Sequence, residues 1–120
     1  MTDLARKVTA GADTAFDRTI ALQNYFTGPT SAFHYSLQTA PGNGDDALVD
    51  FLTVGRTGYC EQFSAAMAVM LRAVGVPARV AVGFTGGTPS GDHRTVSTSD
   101  AHAWVEAWFA GYGWLIFDPT

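Results

Sequence analysis

A stripe of apolar residues at helical spacing begins at the only cysteine of the chain, and it is the feature that most constrains the fold. After Cys60, apolar residues recur at helical spacing, at Phe63, Met67, Met70, Leu71 and Val74. This spacing is typical of a helix with one face on a core. Gly75 and Pro77 end the pattern. The sequence therefore predicts a helix over 60–74 that carries the thiol in its first turn, on the core-facing side.

In the rest of the chain, the sequence pattern predicts helices in the N-terminal part and mostly strands in the C-terminal part. Residues 3–27 are rich in helix formers, and Asp13-Thr14 indicates a break and a new helix that ends at Gly28-Pro29. A short helix is predicted around Ala47 to Thr53. Strands are predicted at 33–37, 78–84, 94–97, 102–109 and 114–117, with a mobile loop over 85–92. This order favours an α+β fold with an antiparallel sheet, and 120 residues suit a single domain over 1–120.

Composition narrows the class of function. The net charge of −4 is spread without a block of either sign, so nucleic acid is not an expected partner. No run approaches the roughly 18 apolar residues of a membrane helix, and no signal peptide begins the chain, so we expect this segment to be soluble and not to insert into a membrane. One cysteine excludes an internal disulfide and a multi-cysteine zinc site. No cofactor and no metal are predicted.

The lone thiol of Cys60 needs its own explanation, since a free cysteine is most often a small buried hydrophobe. A helix N-terminus stabilises negative charge and therefore favours the thiolate, the form that attacks carbonyl groups. Its free N–H groups can also hold an oxyanion. Tyr59 and Tyr35 are both candidates for a second oxyanion donor, and the sequence does not choose between them. We predict that Cys60 is a nucleophile.

Three histidines compete to be the base that serves Cys60. His93 borders the loop rich in Gly, Pro and Ser, where a fixed distance to the thiol is hard to maintain, and His34 has no carboxylate near it in the sequence. His102 begins a predicted strand whose alternation places it on one face with Trp104, Glu106 and Trp108. The sequence favours His102 as the base.

Three acidic residues compete to orient the imidazole of His102. Glu106 lies about 13 Å along the same strand, which is too far, whereas Asp100 at about 7 Å stays an alternative. Asp118 reaches the His102 face only if paired residue numbers in the hairpin sum to an even value, as when Phe109 lies opposite Gly113. A plain loop of two or four residues would turn Asp118 to the other face and favour Asp100.

Two further groups of residues are given ordinary structural interpretations. Aromatic residues at strand spacing are more often core than groove, so Trp104, Trp108 and Trp114 are predicted to pack in the core rather than line an acyl-binding groove. Arg72 and Arg79 are predicted to be structural ion-pair or surface residues rather than anion binders.

Four blocks of the sequence resemble, in order, the signatures of the bacterial transglutaminase-like family. They are 58–64 (GYCEQFS), 71–80 (LRAVGVPARV), 100–106 (DAHAWVE) and 113–120 (GWLIFDPT). The resemblance covers about 14–120 and implies a papain-related fold in which Cys60 is the nucleophile, His102 the base and Asp118 the acid. It also suggests an extracytoplasmic domain of a multi-pass bacterial membrane protein. One departure is Leu115-Ile116-Phe117, which is more apolar than the family pattern.

The expected function is thiol acyl transfer on peptide or side-chain amides through a thioester. Hydrolysis is preferred to cross-linking, because nothing in the sequence indicates an amine pocket or a device that excludes water. The alternatives are a glutamine–lysine transglutaminase and a non-catalytic substrate-binding domain of the same fold. A protein or peptide is the expected substrate, and the sequence predicts no oligomeric state.

Overall fold

A computed structural model describes residues 2–29, 31–35, 51–52, 56–58, 60–84, 88–90, 93–95 and 101–120. The helices are α1 (Thr2–Val8), α2 (Ala15–Thr27) and α3 (Cys60–Ala73). The strands are β1 (His34–Tyr35), β2 (Thr57–Gly58), β3 (Ala78–Phe84), β4 (Thr88–Ser90), β5 (His93–Thr95), β6 (Ala101–Phe109) and β7 (Gly113–Phe117). An antiparallel sheet has the order β3-β6-β7, β1 pairs with β2 in parallel, and β4 pairs with β5. The predicted α+β class is confirmed.

The helices begin and end close to where the sequence predicts. Thr14 caps α2, because its side chain accepts a hydrogen bond from the Asp17 N–H at 3.0 Å. At the other end the Gly28 N–H donates to the Asn24 carbonyl at 2.7 Å. Helix α3 is followed by Gly75 with φ of 87°, a left-handed conformation that glycine adopts without strain.

The core lies between the helices and the sheet, with α3 at its centre. Helix α3 contributes Met67, Met70 and Leu71, each 0% exposed, and faces Val105 and Ala107 of β6, which are equally buried. On its other side α3 contacts both α1 and α2. The apolar stripe predicted from the sequence is therefore the layer that joins the helices to the sheet.

The hairpin between β6 and β7 has the register that the Asp118 argument requires. Phe109 pairs with Gly113 and Val105 with Phe117, which leaves 110–112 as a three-residue loop. Gly111 and Gly113 have φ of 85° and 79°, left-handed values that this loop uses to turn the chain. Paired numbers sum to an even value, as in the example given by the sequence, so the condition for Asp118 to lie on the His102 face is met.

Other expectations were wrong or only partly met. Trp108 and Trp114 are 41% and 43% exposed and are not core residues, because α3 packs on the opposite face of β6. Strand β4 forms inside the predicted mobile loop and pairs with β5, which begins at His93 rather than at residue 94, while 96–97 lie outside the described residues. Phe51 and Leu52 are helical, whereas the rest of the predicted helix over 47–53 and residues 36–37 lie outside the described residues.

Candidate active site

The structure joins two of the three predicted site residues directly. His102 Nε2 lies 2.7 Å from Asp118 Oδ2. His102 is the second residue of β6, where it pairs with Gly83, and Asp118 follows the last residue of β7. The side chains are partly open to solvent, at 21% exposure for His102 and 46% for Asp118.

The carboxylate of Asp118 is held by more than the imidazole. Its Oδ1 accepts hydrogen bonds from the Thr120 hydroxyl at 2.7 Å and from the Thr120 N–H at 3.1 Å. Burial of the carboxyl group acts to raise the pKa of Asp118, but the hydrogen bonds from Thr120 and His102, with the charge of His102, outweigh it. The pKa of Asp118 is therefore below its ordinary value, and the group is ionised at neutral pH.

An ionised carboxylate fixes the tautomer of the imidazole. Such a carboxylate can only accept hydrogen bonds, so His102 Nε2 must carry the proton that lies between the two groups. In the neutral ring the other nitrogen, Nδ1, then has the free lone pair. This makes Nδ1 the atom of His102 that can take a proton.

Helix α3 carries Cys60 to the same end of the sheet. The Ser64 hydroxyl donates to the Ala103 carbonyl at 3.0 Å in a buried contact. Beyond the other end of the helix, the Trp108 N–H donates to the Pro77 carbonyl at 2.9 Å, so α3 and β6 run in the same direction. Cys60 lies one helical turn, about 6 Å, before Ser64. This places the thiol level with the start of β6, where His102 lies.

The approach to Cys60 is tightly packed. A Cβ added to Gly58 would lie 2.9 Å from a ring carbon of Phe51 and 3.1 Å from the side chain of Gln62. Only glycine fits there without displacing a buried neighbour. Cys60 itself is 9% exposed, so the thiol lies at the edge of the core rather than on an open surface.

Among the residues described, no hydrogen bond joins Cys60 Sγ to the imidazole of His102. The structure thus pairs the predicted base with the predicted orienting residue, and it brings the predicted nucleophile to the same end of the sheet without a direct bond. Contacts of this kind are commonly long before substrate binds.

The other candidates for these roles have other partners, are exposed or lie outside the described residues. Glu106 accepts a hydrogen bond from Arg79 at 2.8 Å, and the Arg79 guanidinium also lies 3.8 Å from the ring centre of Trp114. The structural interpretation of Arg79 is thus confirmed. His34 is exposed in β1. Asp100 and Tyr59, and the side chains of Tyr35 and His93, lie outside the described residues.

Arg72 also has the structural role that the sequence predicts. Its Nε donates to the Ala78 carbonyl at 2.7 Å. Thr120, by contrast, was missed by sequence reasoning, although a hydroxyl residue two places after an aspartate is a recognisable turn pattern.

Trp104 and Gly83 form a contact beside the imidazole that the sequence does not reveal. The rings of His102 and Trp104 lie 6.4 Å apart at 30° to each other. A Cβ on Gly83 would lie 2.8 Å from Cη2 of Trp104, so the indole occupies the space that a side chain at position 83 would need. The glycine opposite His102 is therefore what allows the indole to lie there.

A cavity of about 680 Å³ lies at the far end of the sheet. It is lined by the start of α2 and by the β6–β7 hairpin, including Phe16, Trp108 and Tyr112. Trp108 lies six residues after His102 in the same strand, or about 20 Å away. This cavity is therefore too distant to hold a group that reacts at Cys60.

The described ranges contain neither a candidate metal cluster nor a membrane-spanning helix. No group of three His, Cys, Asp or Glu side chains there could hold a metal ion. None of the described helices has both the length and the apolar character needed to cross a membrane.

Comparisons with known proteins identify the family of the chain. The family model of the transglutaminase-like superfamily matches residues 2–119. The uncharacterised protein YebA of Bacillus subtilis is 38% identical over 98% of this chain, and a protein-glutamine gamma-glutamyltransferase of Pseudomonas aeruginosa is 48% identical over 73% of it. The chain spans only 17% and 13% of the lengths of these two relatives.

A solved structure extends the comparison to the fold. The periplasmic domain of TgpA from Pseudomonas aeruginosa, bound to ethylmercury, superposes with a TM-score of 0.87 at 39% identity. The match covers 99% of this chain and 42% of that one. Both the helices and the antiparallel sheet are thus shared with a protein of this fold. The chain therefore belongs to the transglutaminase-like superfamily.

Proposed function

We propose that the chain catalyses thiol acyl transfer from amides, with Cys60 as nucleophile, His102 as base and Asp118 as the residue that orients the imidazole. The observation that carries this proposal is the 2.7 Å contact between His102 Nε2 and Asp118 Oδ2. It leaves Nδ1 as the basic atom of His102, which lies at the start of β6, near the first turn of α3.

The proposed reaction has two halves. His102 Nδ1 takes the proton of the Cys60 thiol, and the thiolate attacks the amide carbonyl carbon. The carbon–nitrogen bond then breaks, the leaving amine takes the proton from the imidazolium, and a thioester remains on Cys60. In the second half His102 removes a proton from the acceptor, which attacks the thioester and breaks the carbon–sulfur bond. The Cys60 thiolate leaves, and the imidazolium returns the proton to its sulfur.

Water is the proposed acceptor, which makes the reaction a hydrolysis. The side chains of His102 and Asp118 are 21% and 46% exposed, so solvent reaches the pair that would activate the acceptor. A thioester beside such a pair hydrolyses unless water is excluded.

Transfer to an amine is the second candidate. It is supported by the relative that is 48% identical over 73% of this chain and is named a protein-glutamine gamma-glutamyltransferase. In that case a glutamine side chain would form the thioester, and a lysine amine would replace water as the acceptor.

The setting of the activity is also a proposal. The solved relative is a periplasmic domain, and this chain covers 42% of it. We expect the chain to act as an extracytoplasmic domain of a larger bacterial membrane protein, on protein or peptide substrates.

A thiol-reactive probe tests the nucleophile and base. At about pH 6, below the range in which a free thiol ionises, iodoacetamide should label Cys60 much faster than free cysteine. His102→Ala should remove that advantage, whereas His34→Ala, a matched change at an exposed histidine outside the site, should preserve it. Labelling of the wild-type chain no faster than free cysteine would defeat the proposal.

Product analysis then separates the two acceptors. A glutamine-containing peptide is incubated with the chain, with and without a primary amine, and the products are identified by mass spectrometry. Conversion of glutamine to glutamate or cleavage of the peptide, unaffected by the amine, supports hydrolysis. Incorporation of the amine in place of hydrolysis supports transfer.

A further inference from the structure

We propose that Gln23 of α2 is a positioning residue for the candidate triad, because its side-chain amide fixes Asp118 and, through Asp118, the imidazole of His102. Gln23 Nε2 donates a hydrogen bond to the Asp118 backbone carbonyl at 2.6 Å. This inference rests on the proposed function and adds a fourth residue to the same site.

Asp118 needs support from outside its own strand. The last pair between β6 and β7 is Val105 with Phe117, so Asp118 lies one residue beyond the ladder. Thr120 holds the carboxylate, but it is only two residues away and moves with the same segment. Pro119 is fully buried, and its ring anchors the peptide that carries the Asp118 carbonyl from the C-terminal side. The bond from Gln23 holds the same carbonyl from a separate element.

Helix α2 is a firm base for this bond. Leu22 and Phe26, which lie beside Gln23 on the helix, are 0% and 3% exposed. The Gln23 carbonyl accepts a hydrogen bond from the Thr27 hydroxyl at 2.9 Å. The side-chain amide therefore projects from a helix whose neighbouring residues are packed in the core. It contacts Asp118, which is 95 residues away in the sequence.

The orientation of the Gln23 amide is determined by its partner. A carbonyl only accepts hydrogen bonds, so Nε2 must face Asp118, and the reverse orientation would bring two oxygens together. Gln23 Oε1 is then buried, without a hydrogen-bond partner in the described part of the chain. A buried acceptor without a partner costs free energy that an apolar residue of similar size would avoid. The contribution of Gln23 here is its donor.

Two variants and one control test the proposal. Gln23→Met removes the donor at similar size, and Gln23→Glu places a carboxylate oxygen against the Asp118 carbonyl. Asn24→Asp adds the same charge at the neighbouring exposed position of α2 and serves as the matched control. Circular dichroism confirms that each variant folds. If the Met variant does not fold, the Glu variant, which has the shape of glutamine, carries the test.

The first measurement does not require an active enzyme. The proton on His102 Nε2 is observed by NMR of the histidine-labelled chain and assigned by its absence in His102→Ala. Both Gln23 variants should broaden or remove this resonance, since the carboxylate is no longer held against the ring, and Asn24→Asp should leave it unchanged. A resonance that persists unchanged in folded Gln23→Met would overturn the proposal.

The second measurement asks whether Gln23 acts through Asp118. Misplacement of a catalytic group by about 1 Å can cost about 100-fold in rate, so we expect Gln23→Met to slow iodoacetamide labelling of Cys60 by about tenfold or more. In an Asp118→Asn background the same change should have little further effect. Independent, multiplicative losses would contradict the inference. If wild-type labelling is not accelerated but the Nε2 resonance still depends on Gln23, the proposed function fails and the positioning of the pair stands.

Discussion

The two faces of β6 have opposite environments although they belong to one strand. On the inner face Ala103, Val105 and Ala107 are 3%, 0% and 0% exposed and pack toward α3. On the outer face His102, Trp104 and Glu106 are partly exposed and make polar or aromatic contacts with β3 and β7. Because side chains alternate along a strand, one segment can be rigid on one side and reactive on the other. Stability and reactivity should therefore respond separately to substitutions on the two faces.

The sharpest way to break this comparison is the same substitution at adjacent positions. Val105→Asn places an amide in the core without partners and should lower the free energy of unfolding by about 4 kcal/mol or more. Glu106→Asn removes one ion pair with the half-exposed Arg79 and should cost less than about 1 kcal/mol. Chemical denaturation measures both. Equal losses at the two positions would show that the faces do not differ as described.

A milder change on the inner face should leave the reactivity intact. Val105→Ala removes two buried methyl groups and leaves a cavity, which should destabilise the chain by about 2 kcal/mol. Below the melting temperature, iodoacetamide should label Cys60 at the wild-type rate. A slower rate in the folded variant would mean that the inner face also affects the reactivity of the Cys60 thiol.

A small addition on the outer face should instead lower the reactivity of Cys60. In Gly83→Ala the new Cβ would lie 2.8 Å from the Trp104 ring, so the indole must move away from its place beside His102. We expect the free energy of unfolding to fall by about 1 kcal/mol and the labelling of Cys60 to become several-fold slower. Tryptophan near-ultraviolet dichroism reports the ring movement, and an unchanged spectrum and rate would argue against a role for this contact.

The smallest expected effect concerns acid. The folded-state pKa of Asp118 is lowered, so its ionised form stabilises the fold fully above the unfolded value of about 3.9. That contribution is lost as the pH falls through the lower folded-state value. The difference in melting temperature between the wild-type chain and Asp118→Asn should therefore be constant near neutral pH and shrink below about pH 4. A difference that grows on acidification would show the opposite sign of pKa shift.

Sequence reasoning succeeded where a local period carried the information. The alternation of β6 and the helical stripe after Cys60 each repeat over many residues, and the glycines around 110–112 indicated the turn. The hairpin register followed from these once an odd loop was assumed. The three tryptophans were assigned to the core because alternation identifies two faces but does not say which one a helix will cover.

The remaining parts of the site depend on contacts between distant segments. Gln23 has no sequence feature that links it to a residue 95 positions away. Gly83 matters through the space it leaves for Trp104, which only the paired strands reveal. Such effects arise from the tertiary arrangement, whereas Thr120 follows a local pattern and could have been found.

The bond between Gln23 and Asp118 joins two segments that are synthesised at different times. It closes a loop of 95 residues that contains both Cys60 and His102. Helix α3, which carries the thiol, and strand β6, which carries the imidazole, both lie inside this loop, so each is synthesised before residue 118. The carboxylate joins them only when β7 docks beside β6 and its end reaches α2. Asp118 is thus the last of the three proposed site residues to be synthesised, and the candidate site stays incomplete until β7 has paired with β6.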